Sequence, residues 1–384
     1  MAGRRLHAVL VTAALAALTS LCLCAAAAST PPASPSPTPV PTPSATGVSG
    51  RDADAALSAF NRAYYVETLG VGRYRATTDG TSLTSFWRSA ELFEMVEDAY
   101  QASRTQAIRR LIGELRRGVV LRYGVVWTSG RAFNDDVLWM VLAFIRAYEL
   151  TGDRISRDLA RQNFDATVAR GLSDDLGGGL WWTTDEREKN ACVNGPGAIA
   201  ACHLYQAFAD PAYLERARSL YAWERTSLFD PDSGAVFDHV SQTTDGAGVV
   251  NRQTYTYNQG TFIGAASALY RATGVPSYYL DALQAYAYAR DHLTVAGVLR
   301  SEGGEGGDAG GFRGIFARYA AEFTRGSDVQ GAGEWLTLNA QTAWAHRDAR
   351  GLIGKDWTQP TPRGRLNAFD CSSAVVIMQV LRRL

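Results

Sequence analysis

The sequence predicts an all-α protein whose twelve helices pair as six hairpins and close into a double ring, an (α/α)6 barrel. Three observations lead there. Beyond residue 51 helical segments are many and strand signals few. The segments alternate between one-sided and wholly apolar. No motif recurs with a fixed period, which argues against an open helical solenoid.

The helices are expected near 51–67, 86–101, 103–117, 135–151, 153–170, 188–208, 211–227, 257–273, 276–293, 309–324, 330–346 and 369–383. The third carries Ile108, Leu111, Ile112 and Leu115 as a stripe between charges, and the fifth does the same with Ile155, Leu159, Phe164 and Val168. The seventh and ninth also keep a charged side, at Glu215, Arg216 and Arg218 and at Asp281, Arg290 and Asp291. The even segments differ. VLWMVLAFI in the fourth, GPGAIAACHLY in the sixth, GTFIGAASALY in the eighth and AVVIMQVL in the twelfth have no polar face. Such helices must be buried on every side, so they form the inner ring.

The ends of the chain read differently. Arg4 and Arg5, an apolar run from Ala8 to Ala17 and small residues Ala25 to Ala28 have the order of a cleaved signal peptide over 1–28. The segment 29–50 holds seven of the chain's 13 prolines, between Pro31 and Pro43, and reads as an extended Pro/Ser/Thr-rich spacer. The remainder, 51–384, is expected to form the (α/α)6 domain. A leader followed by a spacer points to a secreted protein, held at a distance from a cell wall or membrane.

Composition narrows the chemistry. With 38 basic and 38 acidic residues the formal charge is zero, and no basic patch suggests nucleic acid. Nine Trp and 17 Tyr supply flat faces with polar edges, which suit sugar rings. Cys192 and Cys202 share one predicted helix about 15 Å apart, too far to pair, and are expected to be buried thiols along with Cys371. No metal or cofactor is implied: Glu305 and Asp308 in a Gly-rich stretch fit no EF-hand, and the His residues form no centre. A monomer is the expected state.

In a hairpin barrel the inner helices all point one way, so their starts converge on one mouth. Those starts hold Phe86 and Trp87, then Asn134, Asp135 and Asp136, then Lys189, Asn190 and Asn194 after Trp181 and Trp182. Tyr257, Asn258 and Gln259 open the eighth, Phe312 and Arg313 the tenth, and Asp370 the twelfth. Polar groups converging among aromatics describe a binding site. Glycine runs at 177–179 and 303–311 precede two starts, and are expected to bring backbone against a ligand or to act as lids. Asp135 and Asp136 stand out. One Asp at a helix start is well explained by capping, two only weakly, particularly ahead of a wholly apolar run. Glycosidic cleavage needs two carboxyl groups flanking the bond, about 5–5.5 Å apart for retention of configuration. Successive helical side chains diverge by about 100°, which allows such a spacing. Mutual repulsion would keep a proton on one of them near neutrality.

With these pieces in place, most of residues 55–384 resembles glycoside hydrolase family 76, the α-1,6-mannanases. The resemblance is carried by FNDDVLWMVLAFIRAYELTGD at 133–153, GGGLWWTTDEREKNACVNGPGAIAACHLY at 177–205, TYTYNQGTFIGAASALYRATG at 254–274 and FRGIFARYAAEF at 312–323, with NAQTAW at 339–344 as a weaker element. It implies retaining endo-hydrolysis of α-1,6-linked mannan, with Asp135 as nucleophile and Asp136 as general acid/base. Carried over, Trp181, Trp182, Asn190, Tyr257, Asn258, Gln259, Phe312 and Arg313 would line the cleft, and Trp87 and Asn194 join them from the reading of the helix starts. A wall transglycosylase on the same residues, or a non-catalytic glycan-binding protein, are the competing readings.

Overall fold

The computed structural model describes residues 48–326 and 329–382. The signal peptide and nearly all of the spacer lie outside the described residues. The spacer's last residues already belong to the first helix, where the Ser49 side chain and Asp52 form a reciprocal capping box.

Among the described residues there are twelve α-helices: α1 (Gly50–Tyr64), α2 (Phe86–Ser103), α3 (Gln106–Tyr123), α4 (Asn134–Thr151), α5 (Arg154–Gly171), α6 (Ala191–Phe208), α7 (Pro211–Ser227), α8 (Thr256–Thr273), α9 (Pro276–His292), α10 (Phe312–Arg325), α11 (Ala332–Ala345) and α12 (Ala368–Leu381). The even helices form a closed ring. Each packs on the next, and α12 returns to α2. The odd helices lie outside them: α3, α5, α7 and α9 each against the preceding inner helix, α11 between α10 and α12, and α1 on α12. Patterning explains the layering. Every residue of α4 from Val137 to Ala147 is buried, as is every residue of α12 from Ala368 to Val380. On α3 burial is confined to Leu111, Ile112, Leu115, Gly118 and Val119, one stripe of the helix. Close approach within the ring needs small residues: a Cβ at Gly260 of α8 would lie 2.6 Å from the Phe316 Cα of α10.

The helix ends differ from expectation where strands intervene. Residues 188–190, expected to open the sixth helix, instead form β3 (Glu188–Asn190), after a hairpin of β1 (Tyr65–Thr68) and β2 (Val71–Tyr74). β3 pairs antiparallel with β4 (His239–Gln242), which pairs with β5 (Gly248–Asn251). A short β6 (Thr294–Val295) and β7 (Val298–Leu299) pair follows α9. The middle sheet places Asn190 opposite His239.

One inner helix breaks the apolar pattern. α2 buries Glu91, Glu94, Glu97 and Asp98. They are answered from two other inner helices. Arg146 of α4 donates to Glu94 and Asp98, both at 2.6 Å, and Arg318 of α10 reaches Glu91 at 3.0 Å and Asp98 at 2.9 Å. Burial pushes the Glu91 carboxyl up to about 8, against the pull of Arg318, and drives Glu97 upward as well. Protons held there bring four acids and two guanidinium groups towards charge balance.

A second recurring device uses buried amide side chains to hold loop backbone. The Asn194 Oδ1 accepts from Leu180 N at 2.8 Å, while its Nδ2 donates to Leu180 O at 3.2 Å and Asn190 O at 3.0 Å. Gln259 accepts from Val236 N at 2.7 Å and donates to Gly234 O at 3.1 Å. Asn163 does the same for Trp127 N and Val125 O, and Asn339 for Leu299 N and Gly297 O. Loops folded over a barrel mouth bury backbone groups that water cannot reach, and these amides complete them. Asn194 and Gln259, expected to contact a ligand, are therefore loop anchors, both fully buried.

Three outcomes are expected. Arg318→Met leaves buried carboxylates unanswered and should cost about 3–5 kcal/mol in urea unfolding at neutral pH. The raised Glu91 stabilises the fold fully below its ordinary value of 4.5, and that contribution is lost as pH rises through about 8. Glu91→Gln should flatten the decline of Tm across that window; an unaltered slope would contradict the assignment. Asn194→Ala strands both backbone groups of Leu180 and should cost at least about 2 kcal/mol by the same unfolding measurement.

Candidate active site

The starts of the inner helices open on a cleft of about 920 Å³ that holds both Asp135 and Asp136. The two carboxylates occupy the first turn of α4. Phe133 is the cap of that helix and no side-chain cap bond forms, so capping does not account for the pair. Asp135 Oδ2 lies 3.5 Å from the Cys192 Sγ, and its Oδ1 is buried without a partner. The Trp182 indole lies beside it, outside hydrogen-bond geometry for Nε1.

Burial is the main influence on both acids. It pushes Asp135 up to about 7, helped by the charge of Asp136 and opposed by Trp182 and Cys192. Asp136 rises to about 6, through burial and then the charge of Asp308, against the pull of Arg131. Between these values the site holds one proton for two carboxyls, and the higher value puts it on Asp135, with Asp136 ionised. One proton donor beside one carboxylate is the state that acid-assisted displacement at an acetal carbon requires.

The walls are aromatic and polar by turns. Tyr257 and Phe312 stack at 3.8 Å between ring centroids, and Phe133 lies 5.0 Å from Trp182. Trp87 and Trp139 approach at 6.3 Å on the α2 side. The middle sheet contributes Glu188, Asn190 and His239. His239 Nδ1 is 2.9 Å from Asp238 Oδ2, and the other Asp238 oxygen accepts from Asn258 Nδ2 at 3.0 Å.

Of the residues expected to line the cleft, Trp87, Trp182, Asn190, Tyr257 and Phe312 do so with the two acids. Trp181, Asn194, Asn258, Gln259 and Arg313 do not. Trp181 is buried beneath Lys189, whose Nζ lies 4.5 Å from its ring while donating to Ser173 O and Gly178 O. Arg313 is buried with its guanidinium 4.0 Å over Trp357 and its value pulled down to about 10 by burial. Asn258 stands behind the wall, orienting Asp238. The sequence reading missed Asp238, His239, Tyr255, Cys192, Arg88 and Asp308, all at the cleft. The Asp245-Gly246 turn between alternating segments was the available sign of the hairpin that carries Asp238 and His239.

The glycine runs behave differently from each other. Gly177, Gly178 and Gly179 all have positive φ, and a Cβ at Gly179 would strike the Trp223 ring at 2.6 Å, away from the cleft. The 303–311 loop borders the cleft through Gly303 and Asp308. It is tied down on several sides: Lys355 Nζ donates to Gly303 O at 2.8 Å, Gly306 N donates to Asp370 Oδ2 at 2.8 Å, and Arg88 and Trp87 hold Asp308.

Comparison with known proteins agrees with this geometry. The model for glycosyl hydrolase family 76 matches residues 51–382. The chain is 32% identical to an inactive variant of the α-1,6-mannanase GH76A of Salegentibacter sp., with a TM-score of 0.80 over 87% of this chain and 99% of that one. That variant has two consecutive aspartates changed to asparagine and was solved with α-1,6-mannotriose. Among curated proteins, the mannan endo-1,6-alpha-mannosidase DCW1 of Eremothecium gossypii is 25% identical over 278 residues, 65% of this chain. The Candida glabrata protein of the same name is 29% identical over 154 residues, 37% of this chain. The chain spans 61% and 34% of the lengths of these two relatives. With the family model covering nearly all of the described residues, the chain belongs to glycosyl hydrolase family 76.

Proposed function

We propose that this chain is a secreted, retaining, endo-acting hydrolase of α-1,6-mannosidic linkages in mannan or a related wall glycan. The observation that carries the reading is the adjacent pair Asp135 and Asp136, free of capping duty and raised by burial, in an aromatic-walled cleft. The mannanase of Salegentibacter, inactive when two consecutive aspartates are changed and able to hold α-1,6-mannotriose, supports both the residues and the substrate. The N-terminal pattern of Arg4, Arg5, an apolar run and small residues supports export, and the spacer supports tethering near a wall or membrane.

In this reading the roles follow the family resemblance and reverse the resting order of the two values: the proton passes to Asp136 as substrate fills the cleft, and Asp136 delivers it to the glycosidic oxygen as the bond to the anomeric carbon breaks. The Asp135 carboxylate forms a new bond to that carbon from the opposite face, giving a glycosyl ester. Asp136, now ionised, takes a proton from water, whose oxygen displaces Asp135 and restores the original configuration. The Cys192 thiol beside Asp135 stabilises its ionised form as nucleophile and as leaving group. The stacked Tyr257–Phe312 pair and Trp182 offer faces for the sugar rings.

The direct test is release of oligosaccharides from α-1,6-linked mannan by the purified protein. Asp135→Asn should lower kcat on the order of 10³-fold or more while α-1,6-mannotriose still binds. Turnover near the parent level would reject the assignment. The profile of kcat/KM should be bell-shaped with limbs near pH 6 and 7, because both acids are protonated below and both ionised above.

A further inference from the structure

The two carboxylates have different neighbours in the cleft. Asp135 has Trp182 and Cys192 for neighbours, with Tyr257 next to Cys192. For Asp136 the largest charge influence is Asp308 of the 303–311 loop. Asp308 lies beside Trp87 and Arg88 of α2, and all three border the cleft.

The way Asp308 is held is unusual. Arginine and carboxylate groups commonly pair fork to fork, using both oxygens. Here Arg88 Nε at 3.0 Å, Arg88 Nη2 at 2.9 Å and Trp87 Nε1 at 3.1 Å all donate to the same oxygen, Oδ1. Pinning the loop therefore consumes one oxygen only. The side chain remains 61% exposed, and Oδ2 is left as a free acceptor at the cleft edge. A carboxylate oxygen fixed beside an indole face is a common way to hold a sugar, with the ring taking its apolar side and the oxygen its hydroxyl.

We propose that Asp308, with Trp87, forms the subsite for the sugar on the leaving-group side of the cleaved bond, its Oδ2 accepting a hydroxyl of that sugar. The inference rests on the mannanase reading with Asp136 as the acid. That acid must stand next to the departing oxygen, so the groups on its side of the cleft belong to the leaving sugar. The same subsite receives an incoming acceptor when the glycosyl ester is intercepted by a sugar rather than by water, so Asp308 governs the balance between transfer and hydrolysis.

The test compares two substrates in the full chain and its Asp308→Asn variant. α-1,6-Mannotetraose fills the leaving-group side. α-1,6-Mannobiosyl fluoride leaves it empty, and its leaving group needs no hydroxyl contact. Relative to the fluoride, kcat/KM for mannotetraose should fall about tenfold or more, the loss expected for one hydrogen bond to a charged group. From the fluoride with methyl α-mannoside as acceptor, the ratio of transfer to hydrolysis should fall by a similar factor. Both readouts are ratios within one population of folded enzyme, so partial unfolding of the variant does not imitate them, and the transfer ratio decides the matter because a fall in Asp136 acidity leaves it unaltered, water and acceptor being activated by the same base. Equal losses on the two substrates, or an unaltered transfer ratio, would overturn the proposal. Wild-type protein inert towards mannotetraose would instead overturn the mannanase reading beneath it.

Discussion

Closure of the inner ring is the constraint on which the rest of the structure depends. Six helices packed on both sides satisfy their own backbone, so the ring can be apolar almost throughout, as α4 and α12 are. The cost falls at the ends and at the few polar positions inside. Loops that cap the mouth bury amide and carbonyl groups, and Asn163, Asn194, Gln259 and Asn339 answer them one by one. Inside the ring the acids of α2 survive because Arg146 and Arg318 reach them from two other helices. That cluster joins α2, α4 and α10 by charge as well as by packing.

The same closure creates the chemistry. Inner helices that all start at one end bring their first turns together, and burial there raises the two carboxyls, against the pull of Arg131 on Asp136. Asp98 is buried more deeply, and there two guanidinium groups bond to the carboxylate. A pair of adjacent acids can therefore share one proton near neutral pH without any residue remote from the cleft taking part.

Much of this was legible in the sequence, and the losses have local causes. The twelve helices and their alternation followed from apolar periodicity, which the closed ring obeys outside the charged cluster of α2, α4 and α10. The Asp pair was visible because an apolar helix has no other reason to begin with two charges. Neighbouring residues were harder to separate. Trp181 and Trp182 lie between the isolated bridges at Leu180 and Thr183, outside any helix, and only Trp182 reaches the cleft. Tyr257, Asn258 and Gln259 lie on the first turn of α8, each turned about 100° from the last, so Tyr257 faces the cleft while Gln259 faces a loop. The same rotation separates Phe312 from Arg313. Asp238, His239 and Asp308 were hidden because they come from connections between helices, where periodicity carries no information.

The central claim is that the two acids act from opposite sides of one sugar linkage, with a covalent intermediate between them. The most direct measurement is the anomeric configuration of the first product, followed by proton NMR as the protein cleaves α-1,6-mannan. The account predicts that the α-anomer appears first and mutarotates slowly to the mixture. Initial appearance of the β-anomer would show a single inverting displacement, and would contradict the roles given to Asp135 and Asp136.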